Sequence, residues 1–312
     1  MALKLCLPLK PHEIGGGGFR FLSMFEHYLD QHHIAWTRSL WEHADVLFVN
    51  SWQTSPWWVA LWRFLHPQGV VVHRVDNSAS NYGRSDAKWA DARLRNVNKY
   101  AKLTIYQSSY ARNQVNPVPA YPQGLYGRHY AIIHNPVDTS VFHPKTFLPD
   151  RMGFKARVAV VSWSTNELKG AREVADITVA NPDVQFVLIG RFHIIKHTQA
   201  KNVKALGILD MKGVARALRD CDAMLTMSQR EACPNHVLEG LASGLPILYV
   251  DSGATHELVG DAGIAIDRDT CRPALDKVLN LPARIKARER ALDFSTDRIL
   301  PKYLAEIRSV MG

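Results

Sequence analysis

Short apolar runs of strand length recur along the chain and alternate with stretches whose apolar residues fall at helical spacing. Residues 3–7, 44–50, 70–73, 103–107 and 131–134 form one series of such runs. Each is near-continuous in hydrophobic side chains, the pattern of strands buried on both faces in a parallel sheet. A second series follows the Pro- and Lys-containing segment 142–154, with runs near 158–162, 185–189, 203–205, 223–227 and 247–251. Strands alternating with helices imply right-handed crossovers and doubly wound sheets, which bind ligands at the carboxyl ends of their strands. The expected fold is therefore α/β, with two Rossmann-like domains, residues 1–145 and 146–292, and a final helix, 293–312, that crosses back to the first.

The length of 312 residues suits two domains of roughly 150, and 46% apolar with 21% charged residues describes a folded chain. No apolar run approaches the roughly 20 residues of a membrane span, and the start is too short for a signal peptide. The expected location is cytoplasmic, with peripheral attachment to a membrane left open. Cys6, Cys221, Cys233 and Cys271 are scattered and form no CxxC pair, so they read as reduced and structural. The net charge of +9 favours an anionic partner. Lys and Arg are not clustered on a recognisable module, which argues against nucleic acid.

Behind the first strand stand Gly15, Gly16, Gly17 and Gly18, followed by Phe21, Leu22, Phe25, Tyr28 and Leu29 at helical spacing. Glycines let a backbone approach a phosphate, and a helix start adds unpaired N–H donors, although a tight turn needs the same residues. A dinucleotide-binding domain would carry an acidic residue about 20 positions on. Ala35, Trp36, Thr37 and Arg38 stand there instead, which weakens an oxidoreductase reading.

The segment 230–244, REACPNHVLEGLASG, places Glu231 and Glu239 seven residues apart. Pro234 suits the first helical position, so Asn235, His236, Val237 and Leu238 would present amides to a diphosphate. Glu231 then precedes the helix, where it can accept from sugar hydroxyls, and Glu239 lies inside it, where it can accept from a ribose. This segment resembles the Glu-x7-Glu signature of the retaining glycosyltransferases of family 4. The likeness continues through Gly244-Leu245-Pro246 and through 251–263, DSGATHELVGDAG. It implies a GT-B architecture of two Rossmann-like domains facing a cleft. It also implies metal-independent transfer of a hexosyl group from a UDP- or GDP-sugar, with no cofactor, to a glycan or lipid-linked acceptor. The resemblance assigns Glu231 to the donor sugar and Glu239 to the ribose.

Segment 162–170, SWSTNELKG, resembles the phosphate-binding loop of that family, with Lys169 as the lysine on the diphosphate. Ser164 occupies the place of the usual accompanying arginine, which leaves Arg191 as a candidate to compensate. In the first half, 70–77, VVVHRVDN, resembles the Arg-x-Asp stretch of related sequences. His73 or Asp76 could there orient the acceptor or act as general base, and His73 could equally do no more than satisfy a backbone group. Asp220-Cys221-Asp222 mimics an Asp-x-Asp metal motif, but it precedes an apolar strand as an ordinary turn, so no metal is expected. Trp52, Trp57, Trp58 and Trp62, with Leu61, Phe64 and Leu65, suit acceptor stacking, a membrane interface or core packing alike. A nucleotide-sugar epimerase or hydrolase, or a non-catalytic nucleotide-sugar-binding protein, are the alternative functions.

Overall fold

The computed structural model describes residues 3–10, 17–115, 129–145, 150–192 and 200–311. The chain divides into two compact units, Met1–Pro136 with Thr296–Gly312, and Val137–Ser295.

The first unit begins with β1 (Lys4–Cys6), α1 (Gly17–Gln31), β2 (Ala35–Thr37), β3 (Val46–Asn50) and α2 (Pro56–Leu65). It continues with β4 (Val70–Val75), α3 (Ala87–Asn98), β5 (Ala101–Tyr106), α4 (Ser109–Val115) and β6 (His129–Ile132). The second unit holds β7 (Ala156–Ser162), α5 (Ala171–Ala180), β8 (Val184–Gly190), β9 (Val203–Gly207) and α6 (Met211–Arg219). It goes on through β10 (Ala223–Thr226), α7 (Asn235–Ala242), β11 (Ile247–Tyr249), α8 (Thr255–Val259), β12 (Gly263–Ala265), α9 (Cys271–Val278) and α10 (Leu281–Leu292). The last helix, α11 (Thr296–Ser309), packs on α1 in the first unit.

Each unit is built on one six-stranded sheet, in the orders β2-β1-β3-β4-β5-β6 and β12-β11-β10-β7-β8-β9. All pairings within them are parallel. Every residue of β3, β4, β7 and β10 is buried. This is why the central strands read as continuous apolar runs rather than alternating ones. Edge strands β2 and β12 escape the sequence reading because each is three residues long and largely unburied. In both orders the chain winds one way from its first strand and then back across it. The strand order therefore reverses between β1 and β3 in one unit and between β7 and β10 in the other, and such reversals open ligand crevices at the strands' carboxyl ends.

The first unit is centred on a buried cation. Arg74, 1% exposed, donates from Nε to Tyr303 Oη at 3.2 Å, from Nη1 to Asn50 Oδ1 at 2.5 Å and from Nη2 to Asn135 Oδ1 at 2.5 Å. Gln107, with its amide oxygen turned inward, adds an acceptor at 3.0 Å. The Phe21 ring lies 3.9 Å from the guanidinium carbon and 4.9 Å from the Tyr303 ring. Neutral acceptors and an aromatic face thus satisfy the guanidinium, and they join α1, β3, β4 and α11. Tyr303 also donates to the Ile133 carbonyl at 3.2 Å. Replacing Tyr303 by Phe keeps the ring packing but leaves buried partners unsatisfied, so it should cost about 1–3 kcal/mol. Urea unfolding of the two proteins reads this directly, and an unchanged midpoint would show that α11 is held by packing alone.

Candidate functional site

Loops leaving β7 and β10 converge at the reversal of the second sheet. After Ser162 the chain makes a single tight turn, Glu167–Lys169, where Asn166 Oδ1 accepts from Leu168 N at 2.9 Å. Gly170 follows with φ +67°, and a Cβ there would lie 2.4 Å from the Met227 carbonyl oxygen, so only glycine fits. Gln229 N donates to Leu168 O at 2.7 Å, binding the loop after β10 to this turn. These backbone constraints bring Lys169 Nζ and Glu231 Oε1 into an ion pair, each side chain only 13% exposed. Glu231 is fixed in turn by its carbonyl, which accepts from Ala254 N at 2.8 Å.

Helix α7 starts at Asn235, one residue later than expected. Pro234 is its N-cap, with extended backbone at φ −70° and ψ 109°, values that suit a proline held outside the first turn. Val237 N donates to Pro234 O at 3.1 Å, so that amide is engaged within the helix's own start. The side chains of Val237 and Leu238 are core. His236 is buried, with Nε2 2.9 Å from Thr226 Oγ1, and Glu239 is 4% exposed. Arg191 is exposed directly after β8, and its N–H donates to Ser162 O at 2.7 Å. Lys169, Arg191 and Glu231 therefore leave three neighbouring strands, β7, β8 and β10. Ser164 is spent on the loop itself, its hydroxyl accepting from Asn166 N at 3.2 Å.

In the first unit the reversal carries Gly18 and Asn50. A Cβ on Gly18 would approach Asn50 Nδ2 to 2.6 Å, so α1 begins against the end of β3. Gly17 opens α1, while Gly15 and Gly16 lie outside the described residues. Ser51 is the local hub, a residue the sequence reading missed. At φ +49° it stands in the left-handed region, which costs a non-glycine residue on the order of 1 kcal/mol. Three bonds hold it there: its N–H donates to Arg74 O at 2.7 Å, its hydroxyl to Asp76 Oδ1 at 2.5 Å, and its carbonyl accepts from His73 Nε2 at 3.0 Å. No local motif announces such a hub, because its partners are some 25 residues away.

Of the two roles open to His73, the structure favours the one that satisfies a backbone group over that of a general base. It is wholly buried, and Asn98 Nδ2 donates to its Nδ1 at 2.9 Å, which makes Nε2 the protonated nitrogen facing Ser51. Both ring nitrogens are thus engaged inside the unit, and the ring positions the Ser51 loop. Asp76 is half-buried at the end of β4.

Asp222 accepts from Arg157 N at 2.8 Å and from Arg151 Nε at 3.2 Å, and Asp220 pairs with Lys145. Among the described residues no three His, Cys, Asp or Glu side chains converge in a way that could hold a metal ion. All four cysteines are buried, and burial pushes the thiols of Cys6 and Cys221 up to about 12 and that of Cys271 to about 11. Trp62 is core, whereas Trp57 and Trp58 are exposed. Among the described residues no helix is long and apolar enough to cross a membrane.

Residues 164–283, which include Lys169, Glu231 and Glu239, match the family model described as "Glycosyl transferases group 1". No curated protein matches the chain. Among solved structures, it resembles HepE of Anabaena in complex with UDP and glucose. The TM-score is 0.74 at 17% identity, over 98% of this chain and 100% of that one. It also resembles a sucrose-phosphate synthase from Thermosynechococcus elongatus, with TM-score 0.71 at 14% identity over 93% and 77% of the two chains. A glycosyltransferase from Rickettsia africae gives TM-score 0.70 at 12% identity over 99% and 98%. The fold is that of the GT-B glycosyltransferases, with two Rossmann-like units.

Burial pushes the His73 imidazole down to about 4 from its ordinary 6.5, partly offset by its bond to Ser51. Folded His73 stays neutral while the unfolded chain takes up a proton below about pH 6.5. Stability is therefore complete above that value and lost as pH falls towards 4, by about 2 kcal/mol at pH 5. Urea midpoints at about pH 7 and pH 5 should show the loss, and His73→Gln should flatten it; an equal slope in the variant would assign the acid sensitivity elsewhere.

Proposed function

We propose that the chain is a glycosyltransferase that takes a hexosyl group from a UDP- or GDP-sugar and passes it, with retention and without a metal, to a hydroxyl of a glycan or lipid-linked acceptor. The observation that carries this reading is the meeting of Lys169 and Glu231 at the sheet reversal beside the start of α7. The group 1 glycosyl transferase match over the same residues supports it.

In this reading the donor diphosphate takes Lys169 as counter-charge and accepts from the amides of Asn235 and His236 at the start of α7, with Arg191 on the adjacent strand end as a further cation. Glu231 accepts from the sugar hydroxyls, and Glu239 accepts from the ribose. The bond between the anomeric carbon and the diphosphate oxygen breaks while a bond to the acceptor oxygen forms on the same face. The acceptor proton passes to the departing phosphate oxygen. Lys169 and the helix start stabilise the charge that develops there, the term that dominates many such reactions. Asp76, oriented by the Ser51 hydroxyl, is the group on the first unit that we assign to the acceptor.

Ser164, standing where the resemblance expects an arginine, favours a second reading, nucleotide-sugar binding without transfer. Thermal stabilisation against UDP-, GDP-, ADP- and CMP-sugars and NAD, with and without a chelator, separates these readings from a dehydrogenase. Selective stabilisation by one nucleotide-sugar set, unchanged by the chelator, is expected; stabilisation by NAD alone, or by none, would overturn both. Turnover against an acceptor panel then decides between transfer and binding. Glu231→Gln should lower kcat about 10²–10³-fold while leaving donor affinity within a few-fold. Glu239→Gln should raise the donor Kd about tenfold or more, a loss of at least about 1.4 kcal/mol. Equal, negligible effects of the two changes would count against the site.

A further inference from the structure

We propose that the outer face of α2 is a docking surface for an anionic lipid bilayer. This goes beyond the donor chemistry and does not depend on it. A surface helix normally carries one apolar stripe, and α2 spends that stripe on Val59 and Trp62, both fully buried. Its opposite face is apolar as well. Trp57 is 84% exposed, Trp58 48%, Phe64 81% and Leu65 39%. With the partly exposed Leu61 they recur at steps of three and four, one continuous face.

The apolar surface extends past the helix. Trp89, 53% exposed on the neighbouring α3, stands edge-on to Trp52 just before α2, with ring centroids 5.6 Å apart. Trp41, 68% exposed, lies in the loop whose Leu40 carbonyl contacts His66 Nε2 at 3.1 Å at the other end of α2. Four indoles and a phenyl ring on α2 and the segments beside its two ends suit the boundary between headgroups and acyl chains, where an apolar body is buried and a polar N–H stays wet.

Charge selects the occupant. Between Asp45 and Asp76 the chain holds no acidic residue. The first unit holds seventeen Lys and Arg against ten Asp and Glu, so seven of the nine excess positive charges fall there. Acids near α3 are already engaged: Asp86 by Arg84 at 2.7 Å, and Asp91 by the amides of Ala79 at 2.6 Å and Ser80 at 3.1 Å. Lys88 and Lys99 on and beside α3 are exposed. An indole-rich face that lacks acidic residues from 46 to 75, on a unit with this excess of positive charge, complements anionic headgroups. Two copies of the unit brought together would place like charge against like charge.

The test is flotation of the full chain with vesicles of phosphatidylcholine alone and of phosphatidylcholine mixed with phosphatidylglycerol, at low and high salt. Binding to the mixed vesicles, weakened about tenfold or more by high salt or by omission of phosphatidylglycerol, is expected. The Trp57→Ser/Phe64→Ser double variant should lose about tenfold or more of that binding with unchanged circular dichroism and Tm. Leu281→Ser/Ile285→Ser, at exposed apolar positions of α10 (63% and 49%), should bind as the parent does. No binding to mixed vesicles, undiminished binding by the α2 variant, or a concentration-dependent dimer that the α2 variant abolishes would each overturn the proposal, the last by assigning the face to a second copy.

Discussion

A parallel sheet covered on both faces by helices has only its strand ends left to offer a ligand. Both units obey this constraint. Their central strands are buried along their whole length, so side chains in mid-strand serve packing and the outgoing loops serve chemistry. The reversal of strand order then decides which loops matter, because there two neighbouring strands send their chains away in opposite directions and leave a crevice. In the second unit that crevice holds Lys169 and Glu231. In the first it holds the start of α1 against Asn50, with Ser51 and Asp76 beside it.

What was legible in the sequence follows from how far each interaction reaches along the chain. Buried strands betray themselves locally, since continuous Val, Ile and Leu runs have few other uses, whereas three-residue edge strands such as β2 and β12 do not. Glu231 and Glu239 were legible together because one loop and one helix carry both. The pairing of Glu231 with Lys169 was not, because it spans 62 residues and depends on a left-handed glycine packed on Met227. Which of the two readings of His73 holds is hidden in the sequence for the same reason. A histidine at a strand end looks like a base until Asn98, 25 residues on, and Ser51, 22 residues back, take both its nitrogens. The tryptophans were separable in principle, since Val59 and Trp62 share one helical face while Trp57, Leu61 and Phe64 share another, but only tertiary structure shows which face the core claims.

Arg74 and Lys169 show different solutions to one electrostatic problem. Arg74 is satisfied by amide and hydroxyl oxygens and an aromatic ring that all belong to the unit's own packing, so nothing about it invites a ligand. Lys169 is paired with a carboxylate on a loop at the strand ends, and that partner is replaceable. Removing a charge from water costs several kcal/mol unless an opposite charge stands close, so neither Lys169 nor Glu231 could stay so enclosed alone.

On the proposed reading the pair also prepares the site for its donor. Each residue holds the place of the substrate group that the other will meet. A diphosphate arriving at α7 replaces Glu231 as the counter-charge of Lys169, and the carboxylate is then released towards the sugar hydroxyls with little change in the burial of either. The same balance gives Ser164 a physical meaning. A second cation there would crowd Lys169 with like charge, whereas the serine hydroxyl accepts from Asn166 and holds the loop that aims Lys169.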